Sequence, residues 1–183
     1  MTDMNWMKEN SEVIIALTAL LALITSVISI VVSTVSLFLQ RKHNRKSIKP
    51  IANISISDYE NLISVKIFNR GFGPLIIKEF VAKSGNTIKN NLISLMPLLP
   101  ENVSWSTFFD ELNEFSILPN GSINLLELKP DLENEIEVNF RDEVRKSLSQ
   151  IEVTLKYVDI YDSLMPIKVK SLSWFGRHFQ KTK

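Results

Sequence analysis

Cysteine is absent from the 183 residues, and histidine is nearly so, with only His43 and His178. Without thiols the chain forms no disulfide and performs no cysteine chemistry, in agreement with a reducing compartment. No His/Asp/Glu set has metal-ligand spacing, so no metal or other cofactor is expected. Five glycines leave little material for a phosphate-cradling loop. Gly71 and Gly73 superficially fit one, but no Lys-Ser/Thr ending follows, and a tight turn between strands explains them better. Asp159 and Asp162, among Tyr157 and Tyr161, offer a cation site or an acid–base pair, against the commoner role of Asp at a strand-end turn. The acids between Asp131 and Glu143 read as a solvated helix face. No catalytic residue is assigned, and the chain is read as a non-enzyme. An excess of one charge is missing too: the net charge is +1, and from Pro50 onward 15 Lys and Arg face 17 Asp and Glu. A general basic field for double-stranded nucleic acid is thereby excluded.

A long hydrophobic run is present. Val13 to Leu39 carry no charge, and a span of about 18 or more apolar residues reads as a transmembrane helix. Arg41, Lys42, Arg45, Lys46 and Lys49 follow at once, whereas Lys8 precedes it beside Asp3, Glu9 and Glu12. The positive-inside rule then sets residues 1–12 outside, 13–40 in the membrane, 41–49 as a basic juxtamembrane linker touching anionic lipid, and 50–183 as a cytoplasmic domain. His43 reads as a solvated flank residue. A cleaved signal peptide fits worse, because the leader is acidic and the core exceeds about 7–15 residues. The expected topology is a single crossing of the membrane, and the bacterial inner membrane is the location that the resemblance given below implies.

Polar and small residues within the span fall in register. Thr18, Ala22, Thr25, Ser29, Ser33, Ser36 and Gln40 recur at steps of three or four and share one stripe. Such a stripe suits a homo-oligomeric helix interface, a tetramer among the candidates, or a pore lined with hydroxyls. The plain alternative is that these hydroxyls bond back to carbonyls one turn earlier.

Beyond Pro50 the hydrophobic period changes from 3.6 to 2. Ala52, Ile54 and Ile56 mark one strand and Ile63, Val65 and Ile67 a second, with Asp58-Tyr59-Glu60-Asn61 as the hairpin turn. Strands are expected over Leu75 to Lys83, weakly over Thr87 to Ser94, then over Ser122 to Leu128, Ile151 to Tyr157 and Pro166 to Leu172. A short helix is expected over Ser104 to Glu114 and a longer one from Pro130-Asp131 to about Leu148. Short strands without a βαβ rhythm predict an antiparallel, immunoglobulin-like sandwich with one or two inserted helices, or else a small β-barrel. In the tail, Trp174, Arg177, His178 and Lys181 interleave aromatic faces with cations, a pattern for ligand binding by stacking and phosphate pairing. The alternatives are that Trp174 and Phe175 complete the core, or that the tail touches the membrane.

The segments NRGFGPLIIKEF (Asn69 to Phe80) and YVDIYDSLMPIKV (Tyr157 to Val169) carry a resemblance to small bacterial proteins with one N-terminal helix and a cytoplasmic β-sandwich, some of them membrane effectors of antiphage operons. The layout over residues 13–172 is similar to the Hailong transmembrane effectors. The resemblance implies a homo-oligomeric channel in antiviral defence, controlled by an oligonucleotide that a partner nucleotidyltransferase makes. With the stripe, this gives an ion-conducting or membrane-disrupting effector under ligand control. The alternative is a membrane-tethered adaptor whose sandwich recruits a cytoplasmic protein.

Overall fold

The computed structural model describes residues 10–179; Asp3, Lys8 and Glu9 at one end and Lys181 at the other lie outside them. The chain divides into two compact units, residues 1–46 and 47–183.

Helix α1 spans Ser11–Ser47 without interruption, so the RKHNRK stretch is its last turns and not a separate linker. It contains neither Gly nor Pro, and Pro50 follows closely, biasing Lys49 away from helical geometry. Glu12 in the first turn and Arg45 and Lys46 in the last complement the helix dipole. At about 1.5 Å per residue it is about 55 Å long. It is long and apolar enough to cross a membrane, and none of its residues is buried.

The second unit is mainly antiparallel β. Strands β1 (Ala52–Tyr59), β2 (Leu62–Asn69), β7 (Ser122–Leu128) and β5 (Thr107–Phe108) form one open sheet in the order β1-β2-β7-β5. Strands β4 (Thr87–Lys89), β3 (Leu75–Ser84), β8 (Ile151–Val158) and β9 (Lys168–Ser171) form the other, with β6 (Ser116–Ile117) pairing β3. Both sheets keep free edges, which a closed barrel would not. One apolar cluster unites them: Ile63, Val65 and Ile67 from the first sheet, Leu75, Ile77, Val153 and Leu155 from the second, each fully shielded. Burying such a side chain contributes about 1.5–3 kcal/mol.

Helix α2 (Glu135–Leu148) closes onto this core through Phe140, Val144 and Leu148, spaced one turn apart. Asn134 caps it by accepting from Ile136 N at 3.0 Å, and Glu137 reaches back to Asp131 N at 2.8 Å. The expected start at Pro130-Asp131 is therefore a turn that precedes the cap. A 3₁₀ strap, Ser173–His178, then crosses by α2 and sinks Phe175 completely.

Two expected elements differ. No helix forms over Ser104 to Glu114. Trp105, Phe109 and Leu112 mimic helical spacing, yet they reach the core from an extended chain whose Thr107 and Phe108 pair with Glu127 and Leu126. The aromatic and β-branched content between them favours that ladder. Strand β4 stops at Lys89, because Asn91 accepts from Ser94 N at 3.0 Å and turns the chain into the 3₁₀ segment Ile93–Leu95.

Candidate functional site: the Asp58 cluster and its cleft

Asp58 is a strand residue. The β1–β2 ladder runs to the pair Tyr59 and Leu62, so Glu60 and Asn61 alone make the turn, correcting the expected four-residue turn that began at Asp58. Alternation puts Asp58 on the same inward face as Ala52 and Ile54, and its side chain is wholly shielded. A buried carboxylate must be paired. Arg145 of α2 donates from Nε to Oδ1 at 2.8 Å and from Nη2 to Tyr59 O at 2.9 Å. Arg177 of the strap donates from Nη1 to Oδ2 and from Nη2 to Asp58 O at 2.8 Å. His178 Nε2 lies 3.2 Å from Oδ2.

A second carboxylate extends the cluster. Asp142 accepts from Arg141 Nε and Arg145 Nη1, both at 2.9 Å, and Arg141 Nη1 donates to Glu60 O at 3.0 Å. Burial works to raise the Asp142 pKa, but the two guanidiniums prevail and hold it below the usual 3.8. The hairpin tip, α2 and the tail strap are thus clamped by arginines.

An open cleft of about 500 Å³ adjoins the clamp, lined by Ile56, Lys170, Ser171, Ser173, Trp174 and Arg177. The Arg177 guanidinium stacks over the Trp174 ring, 4.8 Å from its centroid. Trp174 itself is 59% exposed. All four residues of β9 are exposed at the sheet edge, so Lys170 and Ser171 reach the cleft from an unobstructed strand.

Of the tail residues proposed to bind a ligand, Trp174 and Arg177 line this cleft, His178 turns to Asp58, and Lys181 lies outside the described residues. Phe175 completes the core. Asp58, Arg145, Lys170, Ser171 and Ser173 were missed. Strand parity is a usable signal for Asp58, and Lys170, Ser171 and Ser173 lie within seven residues of Arg177 in the chain; it is Ile56, Asp58 and Arg145 that only folding brings to the strap.

The stripe residues Thr18, Ala22, Thr25, Ser29, Ser33, Ser36 and Gln40 all fall within α1. Thr18 donates to Ile14 O and Ile15 O, Thr25 to Leu21 O and Ala22 O, and Ser29 to Thr25 O, at 2.8–3.0 Å. These hydroxyl protons are used within the helix, while the oxygens keep acceptor capacity. Arg41, Lys42, Arg45 and Lys46 occupy the last turns of α1, and Lys49 follows it.

The NRGFGP turn has a role beyond reversal. The buried Asn69 accepts from Ile51 N at 3.2 Å and Gly71 N at 3.0 Å, and donates to Gly73 O at 2.7 Å and Ile117 O at 3.1 Å. A Cβ on Gly73 would fall 1.8 Å from Ile48 O, and one on Gly71 2.3 Å from Lys49 O. The glycines let residues 48–51 lie against the loop, so the chain is anchored in the β unit from Ile48 onward. Asp159 is a turn residue, accepting from Tyr161 N at 2.8 Å and Ser163 N at 2.9 Å.

Comparison with protein-family models, with curated proteins and with solved structures gave no match for this chain.

Proposed function

We propose that this chain is a homo-oligomeric membrane effector whose β unit senses a ligand and controls a bundle of α1 helices. In this reading α1 spans a bacterial inner membrane with its N-terminus outside, and the two sheets form an immunoglobulin-like sandwich in the cytoplasm. The observation that carries it is α1 itself: 37 residues, none buried, with Leu, Ile and Val on most sides and a continuous polar, small-residue stripe on one. The apolar sides call for lipid, and the stripe lets helix backbones approach one another. The resulting assembly conducts ions or breaches the bilayer, an activity suited to antiviral defence. An oligonucleotide from a partner nucleotidyltransferase is the ligand that the sequence resemblance supplies. A ligand controls the bundle only if it binds one of its states better than the other.

The test replaces Ser29 and Ser33 with Leu in the full chain. Expected are a smaller mass in mild detergent or nanodiscs and loss of conductance or toxicity. An unchanged oligomer with unchanged activity sinks the reading. A tethered adaptor is the second reading, favoured by the exposed edge strand β9, to which a partner can add a strand. It survives if the double variant stays membrane-bound and still retains a protein partner.

A further inference from the structure

Arg177 spends only part of its hydrogen-bonding capacity on the clamp. A guanidinium has five N–H donors. Nη1 uses two, toward Asp58 Oδ2 and Trp174 O, and Nη2 uses one, toward Asp58 O. Among the described residues two donors have no acceptor, and about a third of the side chain is exposed at the cleft. Lys170 supplies an ammonium there, and Ser171 and Ser173 supply hydroxyls.

The charge balance points the same way. The two charged residues that line the cleft, Lys170 and Arg177, are both cations, and the acid paired with Arg177, Asp58, is wholly shielded. Asp58 does not depend on Arg177 alone, since Arg145 and His178 also hold it. A concave, positively biased surface concentrates anions, and guanidinium and ammonium donors suit phosphate oxygens. Stacking on Trp174 and pairing with Asp58 already orient Arg177, so little side-chain entropy is lost on binding. Ile56 and the exposed indole form the apolar wall.

We propose that this cleft binds a small phosphate ester with a flat apolar group, its dianionic phosphate on Lys170 and Arg177 and its flat face on Trp174. The inference rests on the ligand-controlled reading above; the part of an oligonucleotide that fits is a terminal phosphomonoester with its base, because internal phosphodiesters carry a single charge.

The test uses the full chain in nanodiscs of zwitterionic lipid, titrated calorimetrically at constant ionic strength with phenyl phosphate, inorganic phosphate and benzoate. Phenyl phosphate is expected to saturate, binding about fivefold to tenfold more tightly than inorganic phosphate. Benzoate, a monoanion with the same ring, binds more weakly. Lys170→Ala, at an exposed edge position, weakens phenyl phosphate about fivefold without moving the unfolding temperature. Trp174→Ala abolishes the preference for the ring. Lys146→Ala, in a neighbouring cavity, leaves binding intact. Absence of saturable binding, equal binding of benzoate, or equal weakening by Lys146→Ala and Lys170→Ala overturns the proposal. Oligomer mass, measured on the same samples, separates the two claims: a monomer that binds keeps the site and loses the effector, and an oligomer that does not bind does the reverse.

Discussion

The two units solve the problem of apolar surface in opposite ways. In α1 no residue is buried, and Leu17, Ile24, Ile30 and Phe38 are each roughly half exposed or more. In the β unit, Ile63, Leu75, Leu126 and Val153 are fully shielded by residues distant in sequence. Polar groups divide likewise. Thr18 and Thr25 bond to carbonyls three and four residues back, whereas Asp58 is held by residues 87 and 119 positions away. The helix needs only its own backbone for its shape, and its apolar side chains require an environment that this chain does not supply. The β unit supplies its own, so a lost contact there is not replaced from outside.

The largest expected effects break that contrast directly. Phe175→Ala empties a fully buried site beneath the strap and is expected to cost the β unit about 3–5 kcal/mol in chemical unfolding. Leu23→Ala in α1 should leave that transition unmoved, because Leu23 is exposed on the helix. If both variants shift the β-unit transition alike, the two units are not independent. Asp58→Asn is expected to cost about 3–5 kcal/mol, since it removes the wholly buried carboxylate that Arg145 and Arg177 share and leaves the nearly buried Arg145 only the partly exposed Asp142. Combining it with Arg145→Met should cost less than the sum of the single changes, a coupling that a double-mutant cycle measures.

Next in size is Gly73→Ala. Its Cβ would meet a backbone oxygen, which cannot swing aside as a flexible side chain would, so a loss of about 1–3 kcal/mol is expected. Gly85→Ala provides the contrast, because nothing lies within 4 Å of its Cβ and only the backbone, at φ +56°, is strained. Gly73 has no positive φ to strain, so a loss at Gly73 no larger than that at Gly85 would mean that residues 48–51 yield to the added methyl.

How much of this was legible follows from range. Alternation located β1, β2 and β8 because each inward residue faces one shared core, and β7 was found at its observed bounds, Ser122–Leu128. The strands expected over Leu75 to Lys83 and from Thr87 leave a short gap, and there Ser84 pairs with Thr87 across a two-residue turn. The helix expected at Ser104 failed because Trp105, Phe109 and Leu112 carry helical spacing while the backbone between them joins a strand 18 to 20 residues away. The cleft was half visible: Trp174 and Arg177 stand out in the tail, but Lys170 and Ile56 join them only when β9 and β1 come together. Asp58 reads as a turn residue because Asp-Tyr-Glu-Asn has turn composition, whereas strand parity continues through it to Tyr59.

The smallest expected effect is a pH response of the β unit that α1 does not share. Glu127 accepts from Lys129 Nζ at 3.0 Å, from Lys66 Nζ at 3.3 Å and from Asn124 Nδ2 at 2.9 Å. The Lys129 bond outweighs burial and, with Lys66, holds its pKa below 4.5; Asp142 is likewise held below 3.8. A carboxylate whose folded pKa is depressed stabilises the fold above its unfolded value, and that stability is lost as pH falls through the folded pKa. Stability should therefore begin to fall as pH drops past about 4.5 and continue to fall below 3.8. Lys129→Met should flatten the upper part of this decline, while Lys42→Met in α1 leaves the curve unchanged. Unfolding temperatures between pH 3 and 6 check this: identical curves for Lys129→Met and the parent chain would mean that Lys129 does not set the charge state of Glu127.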